Sequence, residues 1–367
     1  MSAPAKPLPG WIDFGIIPLT NLFLALLVAA SLVLLIGESP IEAVQLMIEG
    51  SLGFGEGIGF TLFYATSFIL TGLAVAVAFH GGLFNIGGEG QAYVAGLGVA
   101  LVALSFDTGL HWSLVMLMAT VAAALFGGLW ALVPAWLQAR RGSHIVITTI
   151  MFNFIASSLM VYLLVNVLSP AGSMAPETRT FEVDGRLPKL DGFMQLFGVD
   201  IGSAPLNVSF FIALIACVLV YLLVWKSRLG YEIRTFGASP SAAAYAGINP
   251  VRITLITMMI SGALAGLMAL NPVMGDQARL NVGFVGGFGF VGIAVALMGR
   301  AHPVGIVLAS ILFGMLYQGG AELAFEKPSI TRDLIIAIQG LVILFVGALE
   351  HLTRPSIERL YLRVAGA

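Results

Sequence analysis

Charge and cysteine are both scarce in this sequence, and each shortage excludes a class of protein. Only 10% of the 367 residues are charged, against about 25% in an average soluble domain, which excludes an ordinary soluble enzyme. The single cysteine, Cys217, excludes an intrachain disulfide framework and a cysteine-based zinc site. The four lysines lie far apart and the net charge is −2, so no basic patch is present to bind nucleic acid. We therefore expect no nucleic-acid partner.

Motifs for catalysis and for nucleotide binding are absent as well. No lysine follows a glycine, so the sequence has no Walker A phosphate loop. The five histidines are scattered without metal-ligand spacing, and neither a Gly-x-Ser-x-Gly elbow nor a His-Glu-x-x-His pair occurs. We therefore predict a chain that is not an enzyme, needs no metal or cofactor, and draws any energy from ATP through another subunit.

Hydrophobic residues, in contrast, make up 59% of the sequence, and the mean hydropathy is +0.99. Because a helix needs roughly 20 apolar residues to cross a bilayer, the sequence predicts an all-α, polytopic membrane protein with about ten transmembrane helices. Nine or eleven helices remain open, because the eighth candidate is short and rich in glycine. The candidates lie at 16–37, 58–79, 91–106, 112–136, 145–168, 206–225, 251–272, 284–298, 303–325 and 333–349.

The distribution of Lys and Arg predicts how these helices are oriented. With the N-terminus in the cytoplasm, ten spans place 11 of the 17 cations on the cytoplasmic side, as the positive-inside rule requires. We therefore expect a multi-pass transmembrane domain at 16–350 between two cytoplasmic tails, at 1–15 and 351–367.

Two hydrophilic segments interrupt the predicted spans. Residues 169–205 contain four prolines, five acidic and three basic residues, which is too polar to enter lipid and too broken by proline to form one helix. This outer loop is either a solvated connection or a small cap that contacts an extracytoplasmic partner. The other segment, 226–250, lies on the cytoplasmic side and is here called the inner segment.

The inner segment predicts a short cytoplasmic helix. Ser239 suits the N-cap, Pro240 suits the first helical position, and Gly247 suits the position after the C-terminus. About two turns of helix are marginal alone in water, so this helix needs a surface to pack on. Tyr245 and Ile248 are three residues apart and would present one apolar face to a soluble partner. The alternative is an ordinary loop lying on the membrane surface.

A glycine-rich run at 80–91 lies between two predicted spans. Its five glycines disfavour a stable lipid-facing helix and predict a turn or a re-entrant stretch shielded by protein. Glu89 is a functional candidate, because a carboxylate near the membrane is costly unless it is paired or hydrated. The alternative is that Glu89 stabilises the N-terminus of the next helix. Polar residues within spans, such as Asn271, line a solute path or form hydrogen bonds between helices.

Four motifs carry a family resemblance. They are Phe84-Asn-Ile-Gly-Gly-Glu-Gly-Gln91, Ser227-Arg-Leu-Gly-Tyr-Glu-Ile-Arg234, Ala243-Ala-Tyr-Ala-Gly-Ile248 and Ser261-Gly-Ala-Leu-Ala-Gly266. Together they resemble the permease subunits of ABC importers of the branched-chain amino acid and ribose type, and most closely the nucleoside and simple-sugar subgroup. The resemblance covers about residues 58–350. Gly88 stands where the family has alanine.

This resemblance implies the permease domain of a bacterial cytoplasmic (inner) membrane transporter, which forms the translocation path for a small polar solute by alternating access. A nucleoside is the favoured solute, and a simple sugar is the alternative. It implies three partners: an ATP-binding cassette ATPase subunit, a second permease subunit that is identical or different, and an extracytoplasmic solute-binding protein of the basic membrane lipoprotein type. The stretch from Gly237 to Gly247 would be the coupling helix seated in the ATPase. The implied coupling residues are Arg228, Gly230, Arg234, Gly237, Ser239, Pro240, Tyr245 and Gly247. The expected substrate-path residues are Asn85, Glu89, Gln91 and Asn271.

Two other functional classes stay open at this point. An ion-coupled secondary transporter would work without an ATPase and would use Glu89 or Glu322 as its titrating group. An intramembrane enzyme or an assembly factor has no supporting motif in the sequence.

Overall fold

The computed structural model describes Pro9, Ile12 and residues 16–364, and the regular secondary structure of this part of the chain is helical. Its only β-type pairings are two isolated bridges, Glu177 with Asn281 and Lys189 with Asn207. The predicted all-α class is therefore confirmed. The helices are α1 (Ile17–Leu35), α2 (Pro40–Ile48), α3 (Gly55–His80), α4 (Gly88–Phe106), α5 (Trp112–Arg141), α6 (Ile145–Leu163), α7 (Asp191–Gln195), α8 (Ser209–Tyr221), α9 (Arg228–Ala238), α10 (Pro240–Tyr245), α11 (Pro250–Leu267), α12 (Phe288–Met298), α13 (Pro303–Glu326) and α14 (Arg332–Val364).

Seven helical stretches of the described chain are long and apolar enough to cross a membrane, which confirms a multi-pass protein. They are Gly55–His80, Gly88–Phe106, Trp112–Arg141, Ile145–Leu168, Ser209–Lys226, Pro250–Asp276 and Pro303–Glu326. An eighth is present if Leu19–Leu35 and Pro40–Gly53, bent by 117°, form one span. Of the remaining predicted spans, 284–298 is helical only from Phe288 and 333–349 lies inside α14.

The chain divides into two compact units, Met1–Gly50 with Leu316–Ala367, and Ser51–Met315. In the first unit, the Lys327 ammonium lies 2.9 Å from a Glu42 carboxylate oxygen and 3.5 Å from one of Glu38. Glu322, the alternative titrating group, lies against Gly50 and is partly buried there. The predicted tail 1–15 lies outside the described residues except for Pro9 and Ile12, whereas the predicted tail 351–367 continues α14 as far as Val364.

The core of the second unit is built around α3, whose most apolar window is 83% buried. Small residues allow the neighbouring helices to pack closely. A Cβ atom on Gly127 of α5 would lie 2.3 Å from the Gly262 carbonyl oxygen of α11, and one on Gly266 would lie 2.4 Å from the Ala123 carbonyl oxygen. The glycine and alanine string at 261–266 therefore serves helix packing, as its composition predicts.

α12 is a half-length helix that runs beside the second half of α3. Its 11 residues extend about 16 Å, roughly half the hydrocarbon thickness. The Phe288 ring contacts that of Phe68 with centroids 5.2 Å apart, and the carbonyl oxygen of Ala301 lies 3.1 Å from the His80 ring. The two helices therefore run in the same direction, and α12 begins level with the middle of α3. Gly286 and Gly287, with φ of +59° and +80°, form the turn before it.

α4 begins at the same level as α12. A Cβ atom on Gly88 would lie 3.5 Å from the carbonyl oxygen of Gly289, so the first turns of α4 and α12 are in direct contact. The chain between α3 and α4 has no regular helix until residue 88. Residues 81–87 therefore return from the end of α3 to its middle, which is the re-entrant stretch that the glycine-rich run predicts.

Candidate functional site

The inner segment contains the short helix predicted from its sequence. Ser239 is the N-cap of α10, and its hydroxyl oxygen accepts a hydrogen bond from the Ala242 amide at 3.4 Å. Pro240 occupies the first helical position. Gly247 follows the helix with φ of +84°, a left-handed conformation that favours glycine. The helix and all three of its predicted end signals are confirmed, and its location on the cytoplasmic side stays a prediction.

Two glycines of α9 are explained by close contact with backbone. A Cβ atom on Gly230 would lie 2.0 Å from the Leu223 carbonyl oxygen. One on Gly237 would lie 2.2 Å from the His80 carbonyl oxygen and 2.8 Å from the Gly82 amide nitrogen. Because backbone cannot move aside as a flexible side chain does, α9 holds its place against the end of α3 only with glycine at 237. The inner segment is thereby joined to α3.

Tyr245 and Ile248 do not share one exposed face, so that prediction is wrong. Tyr245 is 97% exposed at the end of α10. Ile248 is partly buried, because the chain reverses at Gly247 and the Ile248 amide bonds back to the Ala243 carbonyl oxygen at 3.0 Å. Ile248 packs on a buried cluster made of Ile233, Phe236, Ala243 and Ile253. α10 therefore has a packed underside and exposes one large aromatic side chain.

The two arginines of the inner segment differ in accessibility. Arg228 has a side chain that is 93% exposed and forms an ion pair with Glu232 at 3.4 Å. Arg234 is partly buried, and its Nε atom has no hydrogen-bond partner among the described residues. Arg228 is therefore open to a docked partner, whereas Arg234 is directed partly into the protein.

Asn85 and Gln91 form a buried pair, and each is 1% exposed. Asn85 Nδ2 donates to Gln91 Oε1 at 2.9 Å and to Ser261 Oγ at 2.8 Å, and the Ser261 hydroxyl donates to the Ala74 carbonyl oxygen at 2.6 Å. Asn153 of α6 accepts a hydrogen bond from the first turn of α4 and donates to the backbone just before that helix. These side chains fix the re-entrant stretch against α3, α6 and α11.

Glu89 lies in the first turn of α4, yet its carboxylate binds the first turn of a different helix. Oε1 accepts from the Gly287 amide and Oε2 accepts from the Gly289 amide, both at 2.9 Å. A Cβ atom on Gly289 would lie 2.3 Å from the Glu89 amide nitrogen. The expectation that Glu89 stabilises a helix N-terminus is therefore correct in kind, but the helix that it caps is α12.

Asn271 joins three segments, and it is 1% exposed. Its Nδ2 donates to the Phe63 carbonyl oxygen at 2.8 Å and to Ser67 Oγ at 2.9 Å. Its Oδ1 accepts from Asn207 Nδ2 at 2.8 Å and from Ser209 Oγ at 3.1 Å. All four hydrogen-bonding positions of the amide group are thereby used within the protein.

The outer loop is a folded cap. The Thr178 amide donates to the Leu280 carbonyl oxygen at 2.9 Å, so the cap pairs with the segment that leads to α12. Asp107, directly after α4, accepts from the Arg179 guanidinium at 2.7 Å and from the Glu182 amide at 2.9 Å. The Arg179 guanidinium holds the pKa of the Asp107 carboxyl below its usual range. Of the two alternatives for this loop, the structure shows the cap; contact with a partner stays a prediction.

The amide side chains of Asn85, Gln91 and Asn271 are recognisable in the sequence as candidates, but their hydrogen-bond partners are not. The partners lie far away in the chain, as with Asn85 and Ser261, which are 176 residues apart. A serine within an apolar run was the available signal, and it does not specify which helix the hydroxyl faces. The missed partner residues are Ser67, Asp107, Asn207, Ser209 and Ser261.

Known proteins of similar sequence are membrane transport subunits. Residues 57–347 match the family described as "Branched-chain amino acid transport system / permease component". A glucose ABC transporter permease protein of Haloferax volcanii is 32% identical over 96% of this chain and 91% of its own length. A guanosine ABC transporter permease protein of Bacillus subtilis is 35% identical over 91% of this chain and 93% of its own length. A nucleoside ABC transporter permease protein of Lactococcus lactis is 30% identical over 90% of each chain.

These matches decide between the functional classes that the sequence left open. The family match at 57–347 includes the re-entrant stretch, the polar core and the inner segment. An ion-coupled transporter and an intramembrane enzyme are set aside, and ATP hydrolysis belongs to a separate subunit. The chain belongs to the branched-chain amino acid and ribose type family of ABC importer permeases, and it is a multi-pass membrane subunit of such a transporter.

Proposed function

We propose that this chain forms the translocation path of an ATP-driven importer for a nucleoside in a bacterial cytoplasmic membrane. The similarity to the guanosine and nucleoside permease proteins supports this substrate class. The similarity to the glucose permease protein favours a simple sugar as the second candidate. Both solutes are small, polar and rich in hydrogen-bonding groups.

α10 is the coupling helix in this proposal. The observation that carries the assignment is the 97% exposure of Tyr245 on a capped helix whose underside is packed. Exposed aromatic side chains of this kind are enriched at protein interfaces. Gly237 supports the role, because its contact with the His80 carbonyl oxygen gives a short, backbone-to-backbone route from the inner segment to α3. The ATPase would move α10, and α9 would pass that movement to α3.

The remaining coupling residues have distinct roles. Ser239, Pro240 and Gly247 set the ends of α10, and Gly230 seats α9 against the end of the preceding span. Arg228 is exposed at the first position of α9 and would contact the ATPase directly. Arg234 would do so only through its accessible part, because its Nε atom is buried.

The proposed topology has ten crossings, with the N- and C-terminal tails at 1–15 and 351–367 in the cytoplasm. It counts the seven long spans, the bent pair, the first part of α14, and α12 together with the non-helical segment before it. In this last crossing the turns and bends of 277–287 cover the outer half and α12 covers the inner half. The cap at 169–205 is then outside and the inner segment is inside, as the distribution of Lys and Arg supports.

The proposed solute path passes the place where α4 and α12 begin. Glu89 is partly exposed there, whereas Asn85, Gln91 and Asn271 are buried. In this arrangement Glu89 faces the path, and the three amide side chains hold the helices that form its wall. Membership of the family implies an ATP-binding cassette ATPase and a second permease subunit. A solute-binding protein of the basic membrane lipoprotein type, docking on the cap, completes the proposal.

The test is uptake by proteoliposomes that contain the permease complex, its ATPase and its binding protein. We expect ATP-dependent uptake of radiolabelled guanosine, and we expect Tyr245→Asp to abolish both uptake and substrate-stimulated ATP hydrolysis, because it places a charge in an apolar contact. Tyr245→Phe keeps the ring and is expected to retain both activities. Uptake of glucose without guanosine would move the assignment to sugars, and unchanged stimulation in Tyr245→Asp would remove α10 from the coupling role.

A further inference from the structure

Two helices begin at one place in the middle of the second unit. α4 and α12 meet by their first turns, with the Gly88 Cβ position 3.5 Å from the Gly289 carbonyl oxygen. Each helix carries partial positive charge at its N-terminus, from aligned peptide dipoles and from amide groups without intrahelical partners. Two such ends at one place form a strong attractor for anions, of the kind that binds phosphate and carboxylate groups in many proteins.

The protein supplies its own anion at this place. Both carboxylate oxygens of Glu89 are engaged, one with the Gly287 amide and one with the Gly289 amide. The ion pairs found between described residues do not include Glu89. The amide groups of α12 are therefore the partners that the structure shows for this negative charge. The Tyr93 hydroxyl donates to the Val282 carbonyl oxygen at 2.7 Å and holds the segment before α12 in position.

We propose that Glu89 is a specificity-determining residue: its carboxylate occupies the donors at the start of α12 and repels anions, so that the path admits uncharged polar solutes and rejects phosphorylated ones. This inference rests on the proposed path past Glu89. It explains why a membrane path for a neutral solute contains a carboxylate. The negative charge of the Glu89 carboxylate offsets the partial positive charges of the two helix N-termini, so the net charge at this place is close to zero.

Removing this carboxylate should create an anion site. Glu89→Gln keeps the size of the side chain and one acceptor oxygen but loses the charge. Inorganic phosphate and guanosine 5′-monophosphate are the probes, and inhibition of guanosine uptake by the assembled transporter is the first measurement. We expect wild-type uptake to be insensitive to both anions. Uptake by Glu89→Gln should be inhibited by both, at anion concentrations at least about tenfold below any that inhibit the wild type, because the carboxylate no longer repels them.

The matched control is Glu56→Gln. Glu56 lies partly buried in the first turn of α3, and its carboxylate accepts from the Ser203 amide at 3.2 Å in a solvent-exposed hydrogen bond. The change removes the same charge from a helix N-terminus away from the meeting point of α4 and α12. Uptake by Glu56→Gln is expected to stay insensitive to phosphate. Equal sensitivity in the two variants would overturn the proposal.

A second measurement does not depend on transport. In purified Glu89→Ala, formate or phosphate should raise the melting temperature towards that of the wild type, because the small anion replaces the missing carboxylate. The wild type and Glu56→Gln should show no such gain. The inference would be overturned if no anion restored the stability lost in Glu89→Ala and if neither anion inhibited guanosine uptake by Glu89→Gln. If guanosine is not the solute, the proposed function fails while the anion-dependent melting temperature still tests Glu89.

Discussion

Asn271 offers the sharpest test of how the polar core holds the helices together. Its side chain makes four hydrogen bonds at 2.8–3.1 Å, with α3, with Asn207 and with the start of α8. Asn271→Leu keeps the branched shape and the number of heavy atoms of the side chain and removes all four hydrogen bonds. Hydrogen bonds between membrane helices average about 0.6 kcal/mol each, so we expect the free energy of unfolding to fall by about 2 kcal/mol, with a further loss from the unsatisfied Asn207 amide.

The assay is equilibrium unfolding in mixed detergent micelles, followed by circular dichroism. Asn166→Leu is the matched control, because Asn166 is exposed and, among the described residues, its side chain bonds only to the Tyr162 carbonyl oxygen within its own helix, at 2.9 Å. We expect this control to change the free energy of unfolding by no more than about 0.5 kcal/mol. Equal effects of the two substitutions would refute the reasoning that Asn271 stabilises the protein by joining separate helices.

Two further predictions concern the contact of α9 with α3 and the ion pair between Asp107 and the cap. Gly237→Ala should lower substrate-stimulated ATP hydrolysis in the assembled complex, because its Cβ atom would lie 2.2 Å from the His80 carbonyl oxygen, whereas Gly109→Ala, whose Cβ atom would meet open space, should retain the stimulation. Asp107 has a pKa held below its usual range by Arg179, so its stabilising effect is complete above about pH 4 and is lost as the pH falls through the lowered value. Melting temperatures from pH 7 to pH 3 should therefore fall more for the wild type than for Asp107→Asn, and parallel curves would contradict this.

Local chemistry made part of this structure predictable. Ser239, Pro240 and Gly247 specify the ends of α10 by hydrogen bonding, fixed φ and left-handed backbone, and none of these effects needs information from elsewhere in the chain. The glycine-rich run at 80–91 is similar, since its composition alone disfavours a regular helix. The long apolar helices follow from the cost of exposing backbone to lipid.

What the sequence could not specify depends on contacts between distant residues. The partner of Glu89 is the backbone of Gly287 and Gly289, about 200 residues away, and backbone amides have no sequence signature. The burial of Ile248 follows from the reversal at Gly247, which brings it onto α9 and α11 and away from Tyr245. The cap formed by 169–205 depends likewise on pairing with residues near 280.

The side of the membrane on which α10 lies decides whether a separate ATPase can bind it. Cys217 is the only cysteine, so Cys217→Ala gives a background for a single Tyr245→Cys substitution, at a position that is 97% exposed. We predict that a membrane-impermeant maleimide labels this thiol in inside-out vesicles, fails to label it in intact cells, and is blocked when the ATPase subunit is bound. Labelling from the outside of intact cells would contradict the central claim that a separate ATPase drives this permease through α10.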